Sequence, residues 1–485
     1  MQGVGASTQS VSRPNLKILL ALWGFVFGIL FASIISIHPL VSILIIFVAL
    51  TIYVLDRNVF ILIALIALSL GILRYDIKDF HVLSPAGNMG VVVSEPESRD
   101  KDTRYAVLTN TREKVLVTDE IFSKVEYGDE VKWIGTPKTL KPGGYANYLA
   151  KDDIFYTLER AKVEIVSHDK GNSVKSTLIK VKRFLTDKVK SILPEPEASL
   201  LSGLIVSGKQ ALPKETLENF KDAGVVHMVV LSGYNITIIA EFLLIVFAFL
   251  GSRVSGFIAL GGVVLFTIMS GAPATVVRGA IMVSFLLLGR LMKRPGSPQR
   301  ILLFTAVLML LHNPKILLYD PSFQLSFLAV LGLIYGTPLV EKLFASHGQE
   351  GNSRQIAFRL RELVSTTLAT QLFVLPLLLY SMGNFSLVFI FSNLLILPIL
   401  PVVMLIGFIG TLLSFVFGVL AMPINFITHL LLAYILKVAD FFGNLPFASL
   451  EIENFPLWGS LVMYVLIFII VWHSRNSSPH SPSLD

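Results

Sequence analysis

A dense group of polar side chains interrupts an otherwise apolar stretch of sequence near residue 230. His227, Ser232, Gly233 and Asn235 follow one another closely, and Glu241 comes soon after them. Imidazole, hydroxyl and amide groups are costly to place at membrane depth, so each needs a protein partner or a hydrated path. The group therefore predicts a functional site among membrane-embedded helices, with Gly233 allowing a bend or a close approach.

Three more polar positions recur in later apolar segments. Arg278 follows a proline, Gln324 lies in the Pro-Ser-Phe-Gln-Leu-Ser-Phe sequence at 321–327, and Asn393 comes before another proline. A charged or polar side chain at membrane depth is costly, so each of these positions is also a candidate for a functional role. The neutral groups either line the same path or make hydrogen bonds between helices, as polar residues do in any bundle.

Composition predicts the solvent around these segments. Of the 485 residues, 54% are hydrophobic and only 15% are charged, whereas soluble chains carry about 25% charged residues. Apolar runs of about 20 residues recur, beginning with 16–37, 39–55 and 58–73, and such runs match the thickness of a bilayer. The first run is longer than the apolar part of a cleaved signal peptide. The absence of cysteine excludes disulfides, thiolate zinc sites and cysteine nucleophiles.

The fold class expected is a polytopic α-helical membrane protein with an inserted small β-barrel that is similar to an OB-fold. The predicted regions are a three-helix membrane region (1–73), an extracytoplasmic β domain (74–170), a basic amphipathic helix (171–196), a transmembrane domain of about eight to ten helices (197–473) and a disordered tail (474–485).

The β domain is predicted from short β-branched runs separated by turns, including the Lys-Pro-Gly-Gly-Tyr turn at 141–145. OB-folds bind single strands by stacking bases on aromatic rings beside basic residues. Tyr105, Trp133 and Tyr145 are the main candidates for this contact, with Tyr127 and Tyr148 beside them. The alternative is that these aromatic residues belong to the core, since aromatic residues favour strands.

The segment 173–193 alternates apolar residues at three- and four-residue steps with lysines and one arginine. Such a basic amphipathic helix usually lies on anionic headgroups. A phosphate-binding surface is the alternative. The net charge of +7 does not decide between them, because positive residues gather at cytoplasmic helix ends in any membrane protein.

Lysine and arginine in short loops predict the orientation. Arg13, Lys17 and Arg57 flank the first helices on the cytoplasmic side, which leaves the β domain outside. Arg253 and Arg290 then mark later cytoplasmic loops. Further along, the pattern predicts Glu451 outside and the C-terminus inside. The number of crossings agrees with this only if one segment, near 385–400, is re-entrant and so enters and leaves the membrane on the same side.

Several motifs together resemble the ComEC competence family. They are Gly224…His227…Leu231-Ser232-Gly233, the Pro-Ser-Phe-Gln-Leu-Ser-Phe-Leu-Ala sequence at 321–329, Arg278 after a proline, Asn393…Pro398 and the turn at 141–145. The resemblance implies a channel in the inner or plasma membrane that imports single-stranded DNA during natural transformation. It also implies that a DNA receptor, a nuclease and a cytoplasmic ATPase or helicase come from other proteins, and that Arg278 is the best candidate for a phosphate contact on the path. The oligomeric state stays open, with a homodimer as one alternative.

Two features depart from the family. Many members carry a second histidine where this chain has Asn235, which puts any metal or proton role at that position in doubt. Longer members also carry a C-terminal metallo-β-lactamase-like domain, and this chain is expected to be a short form without it. The histidines are scattered, with no cluster suited to two metals.

Two other functions remain open on the sequence alone. One is transport of another solute or polymer, because broken helices at membrane depth are typical of transporters. The other is an intramembrane hydrolase using Ser232 and His227, but no Gly-x-Ser-x-Gly elbow is present. The sequence contains no phosphate-binding Gly-x-x-x-x-Gly-Lys-Ser/Thr loop, so it does not predict an ATPase. We therefore expect a non-enzymatic protein with no catalytic residues, no metal and no cofactor.

Overall fold

The computed structural model describes most of the chain. The described residues are 13–35, 37–79, 87–98, 102–120, 124–141, 143–159, 162–207, 212–229, 232–294, 296–343, 353–452 and 454–476. Pro142, Leu231 and residues 477–485 of the predicted tail lie outside them.

Helices make up most of the described chain. They are α1 (Arg13–Ile34), α2 (Pro39–Asp56), α3 (Val59–Asp79), α4 (Gly144–Ala150), α5 (Ser173–Ile192), α6 (Glu197–Ser202), α7 (Lys214–Asp222), α8 (Val226–Val229), α9 (Gly233–Val246), α10 (Ser252–Met269), α11 (Ala274–Leu291), α12 (Pro298–His312), α13 (Ile316–Tyr319), α14 (Pro321–Leu331), α15 (Thr337–Leu343), α16 (Ser353–Met382), α17 (Phe389–Ile396), α18 (Leu400–Val416), α19 (Met422–Gly443) and α20 (Leu457–Asn476). Turns of π-helix continue α6 at Gly203–Ser207 and α14 at Gly332–Gly336.

The strands are short. They are β1 (Met89–Val92), β2 (Glu97–Ser98), β3 (Thr103–Thr109), β4 (Lys114–Asp119), β5 (Glu130–Ile134), β6 (Lys138–Thr139), β7 (Ile154–Glu159), β8 (Lys162–Ser167), β9 (Asn384–Ser386) and β10 (Ser449–Glu451).

Many of the helices are built for a lipid solvent. In the described part of the chain, nine helical segments are long and apolar enough to cross a membrane, and α17 with α18 makes a tenth if the bent pair is one span. Large apolar side chains lie on the outside, as with Phe249 (79% exposed) and Leu420 (78% exposed). Lipid can cover such a surface, whereas water would oppose it. The prediction of a polytopic helical membrane protein is confirmed.

Contacts divide the chain into two compact units. The first comprises Met1–Leu83, Gly296–Asp320 and Ile469–Asp485, and the second comprises Ser84–Pro295 and Pro321–Phe468. In the first unit α1 runs beside α3, where a Cβ atom added at Gly28 or Gly71 would lie within 2.3 Å of a backbone oxygen of the other helix. Small residues permit this approach. Arg74 then donates two hydrogen bonds of 2.7 Å to carbonyls in the last turn of α12.

In the second unit α17 and α18 follow α19 along its length in antiparallel order. The rings of Phe391 and Phe442 stack at 6.5 Å, and Asn425 donates a 2.8 Å hydrogen bond to Ser414 near the other end. The two helices meet at a 43° bend, and Pro398 lies in the break, where it cannot donate a helical hydrogen bond. The segment predicted to be re-entrant, near 385–400, forms the first part of this bent helix pair.

The segment from α6 to α7 makes a crossing that the sequence prediction missed. Glu197, at the start of α6, lies beside His429 of α19, whereas Asn219 of α7 donates a 2.8 Å hydrogen bond to Asp440, three turns further along α19. The apolar helix Glu197–Val206 is only half the length of an ordinary span. Hydropathy therefore does not identify it, although the segment that it begins carries the chain from His429 to Asp440 of α19.

This crossing changes which elements share an end of the second unit. The ring of Phe184 in α5 stacks at 4.5 Å on Phe415, which lies one residue before the end of α18. Helix α9 runs in the same direction as α18, because Phe242 packs on Phe408 at 5.6 Å while the start of α9 contacts the far part of the α6 segment. Helix α9 therefore also finishes at the end where α5 lies.

The loop before α10 and the end of α11 lie at that same end, since a Cβ atom added at Gly256 would be 3.0 Å from the Leu291 side chain. Arg253 and Arg290 belong to these two positions. The sequence prediction placed these arginines inside and the β domain outside. Both statements cannot hold, because α5 brings the sheet to the end that carries the arginines.

The β domain is a mixed sheet with the order β6-β7-β4-β3-β1-β5-β8, and β2 pairs with β3. The pair β4–β7 is parallel and the others are antiparallel. None of the described pairings joins β6 to β8, so the described hydrogen bonds show a mixed sheet and not a closed barrel. Alternate residues of β3, β4 and β5 point into a core that includes Val107, Val117 and Val131, each 0% exposed.

Helix α5 fastens this sheet to the membrane helices. Lys182 pairs with Glu95 at 2.7 Å, Arg183 pairs with Glu126 at 2.6 Å, and Lys175 donates a 2.9 Å hydrogen bond to a carbonyl of the sheet. The buried apolar residues of α5, such as Val189, join the core of α6, α18 and α19. Three of its cations therefore have protein partners, which neither the headgroup nor the phosphate interpretation of the sequence anticipated.

Candidate functional site

Gly233 is the point at which α9 touches α11. A Cβ atom added at Gly279 would lie 2.6 Å from the Cα atom of Gly233, and one added at Gly233 would lie 2.8 Å from Nη2 of Arg278. No side chain larger than hydrogen fits at either position without movement. Gly233 therefore provides a close approach between two helices, which is one of the two roles that the sequence suggested.

Arg278 extends from the second turn of α11 to α14. Its Nη1 donates a 2.5 Å hydrogen bond to the carbonyl of Ser326, and its Nε is buried with no hydrogen-bond partner among the described residues. No carboxylate in the described part of the chain pairs with it. A guanidinium within a membrane span is costly unless water or an anion reaches it. The half-buried Arg278 therefore has capacity for a further partner.

Asn235 is held in a dry contact just inside α9. It is 1% exposed, accepts a 3.1 Å hydrogen bond from the Ser232 hydroxyl and donates a 3.2 Å hydrogen bond to the carbonyl of Leu204. Leu204 lies in the π-helical turn after α6, where backbone carbonyls are free to accept such bonds. Asn235 thus joins two helical segments, in agreement with the interhelical alternative for its role.

His227 lies in the short helix α8, between Gly224 and the start of α9. Gly224 has a φ of +74°, and an added Cβ atom there would lie 2.6 Å from Phe389 of α17. Glycine is favoured in this backbone conformation and at this contact. The His227 side chain is exposed.

Gln324 and Ser326 lie in the first half of α14, close to Arg278. Gln324 is half-buried, and Ser326 is 8% exposed with its hydroxyl buried and unpaired among the described residues. The carbonyl of Ser326, not its side chain, receives the Arg278 hydrogen bond. The Phe-Gln-Leu-Ser-Phe sequence therefore contributes a backbone group to this site, and the rings of Phe323 and Phe327 pack at 4.3 Å beside it.

Asn393 lies elsewhere. It is 4% exposed in α17, and its Oδ1 is buried with no partner among the described residues. Its neighbour Ser392 donates a 2.5 Å hydrogen bond to the carbonyl of Ala223, just before Gly224. Among the described contacts, none joins Asn393 to Gly233 or Arg278. The predicted path residues thus form one group around Gly233, with Asn393 in a separate helix contact.

The aromatic residues predicted to contact DNA have different positions. Tyr105 and Trp133 are each 1% exposed and belong to the core of the sheet, so their rings cannot stack on bases while the sheet is folded. Tyr145 is 53% exposed on α4 and interacts with Arg104. Tyr148 is 41% exposed, and Lys151 lies 4.1 Å from its ring.

Sequence reasoning missed the groups that hold the site together. Gly279 makes the close contact with Gly233, while the carbonyls of Leu204 and Ser326 receive the hydrogen bonds. Every residue has a carbonyl, so no residue type signals these acceptors. Gly279 follows Arg278 directly and was the one available signal, since small residues permit close helix contacts.

Within the described residues, no group of three or more His, Asp or Glu side chains is arranged to hold a metal ion. The helices and the sheet define a polytopic helical membrane protein with an inserted mixed sheet, whose polar site lies around Gly233 and Arg278. The chain belongs to the Competence protein family, whose model matches residues 204–476. This range begins at the π-helical turn and includes every predicted path residue.

The chain is similar to ComE operon protein 3 of Bacillus subtilis (strain 168), with 23% identity over 256 residues. The match covers 52% of this chain and 31% of that protein, so the chain spans about a third of the length of its relative. No solved structure gives a significant match.

Proposed function

We propose that this protein is a membrane channel that imports single-stranded DNA during natural transformation. Membership of the Competence protein family supports a role in DNA uptake. The observation that carries the channel proposal is Arg278, a half-buried cation in a membrane span with no described acidic partner and an unpaired Nε. A passing phosphate would supply the missing acceptor.

Fewer residues line the proposed path than the sequence suggested. Arg278 and Gln324 approach the strand as donors, Ser232 adds a hydroxyl group, and the exposed His227 adds an imidazole. Asn235 and Asn393 support the path from behind, because their side chains are buried in helix contacts. The protein groups would replace part of the hydration of the phosphates, which is how polar residues allow passage through a membrane.

The sheet is proposed to be an OB-like module that guides the strand. Its central order β7-β4-β3-β1-β5 has five strands with one parallel pair, in keeping with a partly open Greek-key barrel. Tyr145 and Tyr148, each beside a basic residue, are the proposed stacking platform. Exposed aromatic rings near cations are the feature that sequence-tolerant single-strand binding requires.

The remaining roles follow as proposals. The protein acts in the inner or plasma membrane with the lipid bilayer around it, and it functions as a homodimer. A DNA receptor, a nuclease and a cytoplasmic ATPase or helicase are supplied by other proteins. No chemistry is assigned to the chain itself, because Ser232 donates its hydrogen bond to Asn235 and not to an imidazole, which does not favour a hydrolase.

Transport of another solute or polymer is the second candidate. The bent span α17–α18 favours it, because discontinuous helices line the binding sites of many transporters. The two candidates share the membrane path and differ in the cargo, so the first experiment measures DNA import.

The test is a substitution at Arg278 in a strain that depends on this protein. We expect Arg278→Ala to leave DNA bound at the cell surface while uptake of labelled DNA into a nuclease-protected form is lost. Arg290→Ala is the matched control, because Arg290 lies on the same helix but is exposed. Normal import by Arg278→Ala at normal membrane levels would refute the path. An equal loss of DNA import in both variants would show that import depends on positive charge near the membrane in general and not on the position of Arg278.

A further inference from the structure

Glu197 and His429 form an ionisable pair among the membrane helices, and no role described above uses it. Oε1 of Glu197 lies 3.5 Å from Nδ1 of His429, and their side chains are 11% and 33% exposed. His429 comes seven residues after the start of α19, which places it about 10 Å along the helix axis. Ionisable residues inside membrane segments are rare and frequently mark proton pathways.

The two side chains differ in access to solvent. Nδ1 of His429 is buried and makes no hydrogen bond among the described residues, so it faces the Glu197 carboxylate without being satisfied by it. A third of the imidazole remains accessible. A buried charge without a partner is costly, whereas an imidazole gains and loses its proton between about pH 5 and 8. The imidazole is therefore the more exposed member of the pair, and the carboxylate is the more buried.

The neighbouring elements bring few competing charges to this pair. Helix α6 packs against α5, α19 and the π-helical turn Gly203–Ser207, and α19 also packs against α7, α17, α18 and the 3-10 turn Gly418–Ala421. The π-helical turn, α17, α18 and the 3-10 turn contain no titratable residue. The charged residues of α7 are on the helix whose Asn219 contacts Asp440, three turns from His429. Glu195, in the link before α6, accepts a hydrogen bond from the amide of Ser199. The other ionisable groups, on the last turns of α5 and on the rest of α19, are Asp187, Lys188, Lys190, Tyr434, Lys437 and Asp440.

Each of these groups is directed elsewhere. Lys188 lies 5.3 Å from the Phe415 ring, the Tyr434 hydroxyl donates to a carbonyl of α17, and Asp440 accepts from Asn219. Asp187, Lys190 and Lys437 are exposed. The Glu197 carboxylate therefore depends on His429 for its nearest opposite charge.

We propose that Glu197 and His429 bind a proton within the membrane domain, and that this proton controls the position of the segment from α6 to the π-helical turn. When the imidazole is protonated, its charge attracts the carboxylate and draws α6 to α19. When the proton leaves, the carboxylate loses this partner and the contact weakens.

The segment connects the pair to the site around Gly233. Leu204, seven residues after Glu197, accepts the hydrogen bond from Asn235. Between them Ser202 is 0% exposed with an unpaired hydroxyl, and the helix changes to a π-turn, a form that is frequent at functional positions. A movement of α6 therefore changes the contact that holds Asn235. The proposal concerns the proton and holds whatever cargo the protein carries.

The first experiment measures thermal unfolding of the purified full-length protein from about pH 5.5 to 8.5. The attraction is present while the imidazole is protonated and is lost as pH rises. We therefore expect the Tm advantage of the wild type over His429→Gln to shrink by on the order of 2 °C across this range. Glu197→Gln should remove the same pH dependence. Tyr434→Phe, on the same helix, should keep it. Identical pH profiles for the wild type and His429→Gln would overturn the proposal.

The second experiment follows the segment itself. The chain has no cysteine, so Ser202→Cys introduces a single buried thiol between the pair and Leu204. Its labelling rate is divided by the rate in a Glu197→Gln background at each pH, which cancels the intrinsic pH dependence of the thiol. We expect this ratio to change several-fold between the two pH limits. A constant ratio would show that protonation does not move α6. Both measurements use protein without DNA, so their failure is separate from a failure of the import experiment.

Discussion

Replacing Gly279 with alanine tests whether the contact between α9 and α11 defines the site. The new Cβ atom would lie 2.6 Å from the Cα atom of Gly233, whereas ordinary contacts begin at 3.4 Å. The obstacle is backbone, so the helices must separate by roughly 0.8 Å, and overpacking of this kind costs about 1–3 kcal/mol. The separation also moves Arg278, the next residue in the chain, away from the Ser326 carbonyl.

Two other glycines supply the comparison. Gly261 lies in α10 with nothing within 4 Å of an added Cβ atom, so Gly261→Ala should be neutral or stabilise the protein by up to about 1 kcal/mol, as expected for a helix interior. At Gly233 the nearest atom is the flexible end of Arg278, 2.8 Å away. Gly233→Ala should therefore displace the guanidinium at a smaller cost in stability than Gly279→Ala.

The assay is thermal unfolding of the purified variants, followed by DNA import in cells. We expect Tm to be highest for Gly261→Ala, lower for Gly233→Ala and lowest for Gly279→Ala. Import should be normal for the first variant and reduced for the other two. If Gly279→Ala unfolds at the same temperature as Gly261→Ala, the helices do not touch at Gly233 and the geometry assigned to Arg278 is wrong.

Three further predictions concern the sheet and its placement. The hydrogen bond to Asp129 raises the pKa of His168, so its stabilisation is present at low pH and is lost as pH rises through that raised pKa. His168→Gln should therefore lower Tm more at about pH 6 than at about pH 8.5. Tyr145→Ala should weaken single-strand binding without changing Tm, because its ring is exposed, whereas a truncation of the buried Trp133 should cost about 3–5 kcal/mol. Single cysteines that replace the exposed Ser98 and Ser252 should react with a membrane-impermeant reagent from one side of the membrane, and one that replaces Ser381 should react from the other side. Labelling at positions 98 and 252 from opposite sides would refute the conclusion that the sheet and the start of α10 lie at the same end.

The fold could be predicted from the sequence where one physical signal dominates. Long apolar runs predicted the spanning helices because lipid admits little else, and the alternation of residues predicted strands around Trp133. Closure of the sheet could not be predicted, because it depends on how distant edges meet. The polar residues around Gly233 were identified from the free-energy cost of placing polar side chains in lipid. That cost does not indicate which group forms a hydrogen bond with each of them. Asn235 and Arg278 gave the same signal, yet Asn235 is buried with both its oxygen and its nitrogen hydrogen-bonded, whereas Arg278 keeps an unpaired Nε.

The conflict within the predicted orientation has a physical source with consequences for the path. Counting Lys and Arg in loops assigns sides correctly only when every crossing is counted, and the short segment Glu197–Val206 crosses without the length of a span. That segment lies between α5, which holds the sheet, and α7, at the far end of α19. Arg253 and the sheet therefore share an end, and in the proposed path a strand bound by the sheet would pass the loop before α10 on its way to Arg278. A path with the sheet at one end and the arginine within keeps a polyanion in contact with positive charge at both stages.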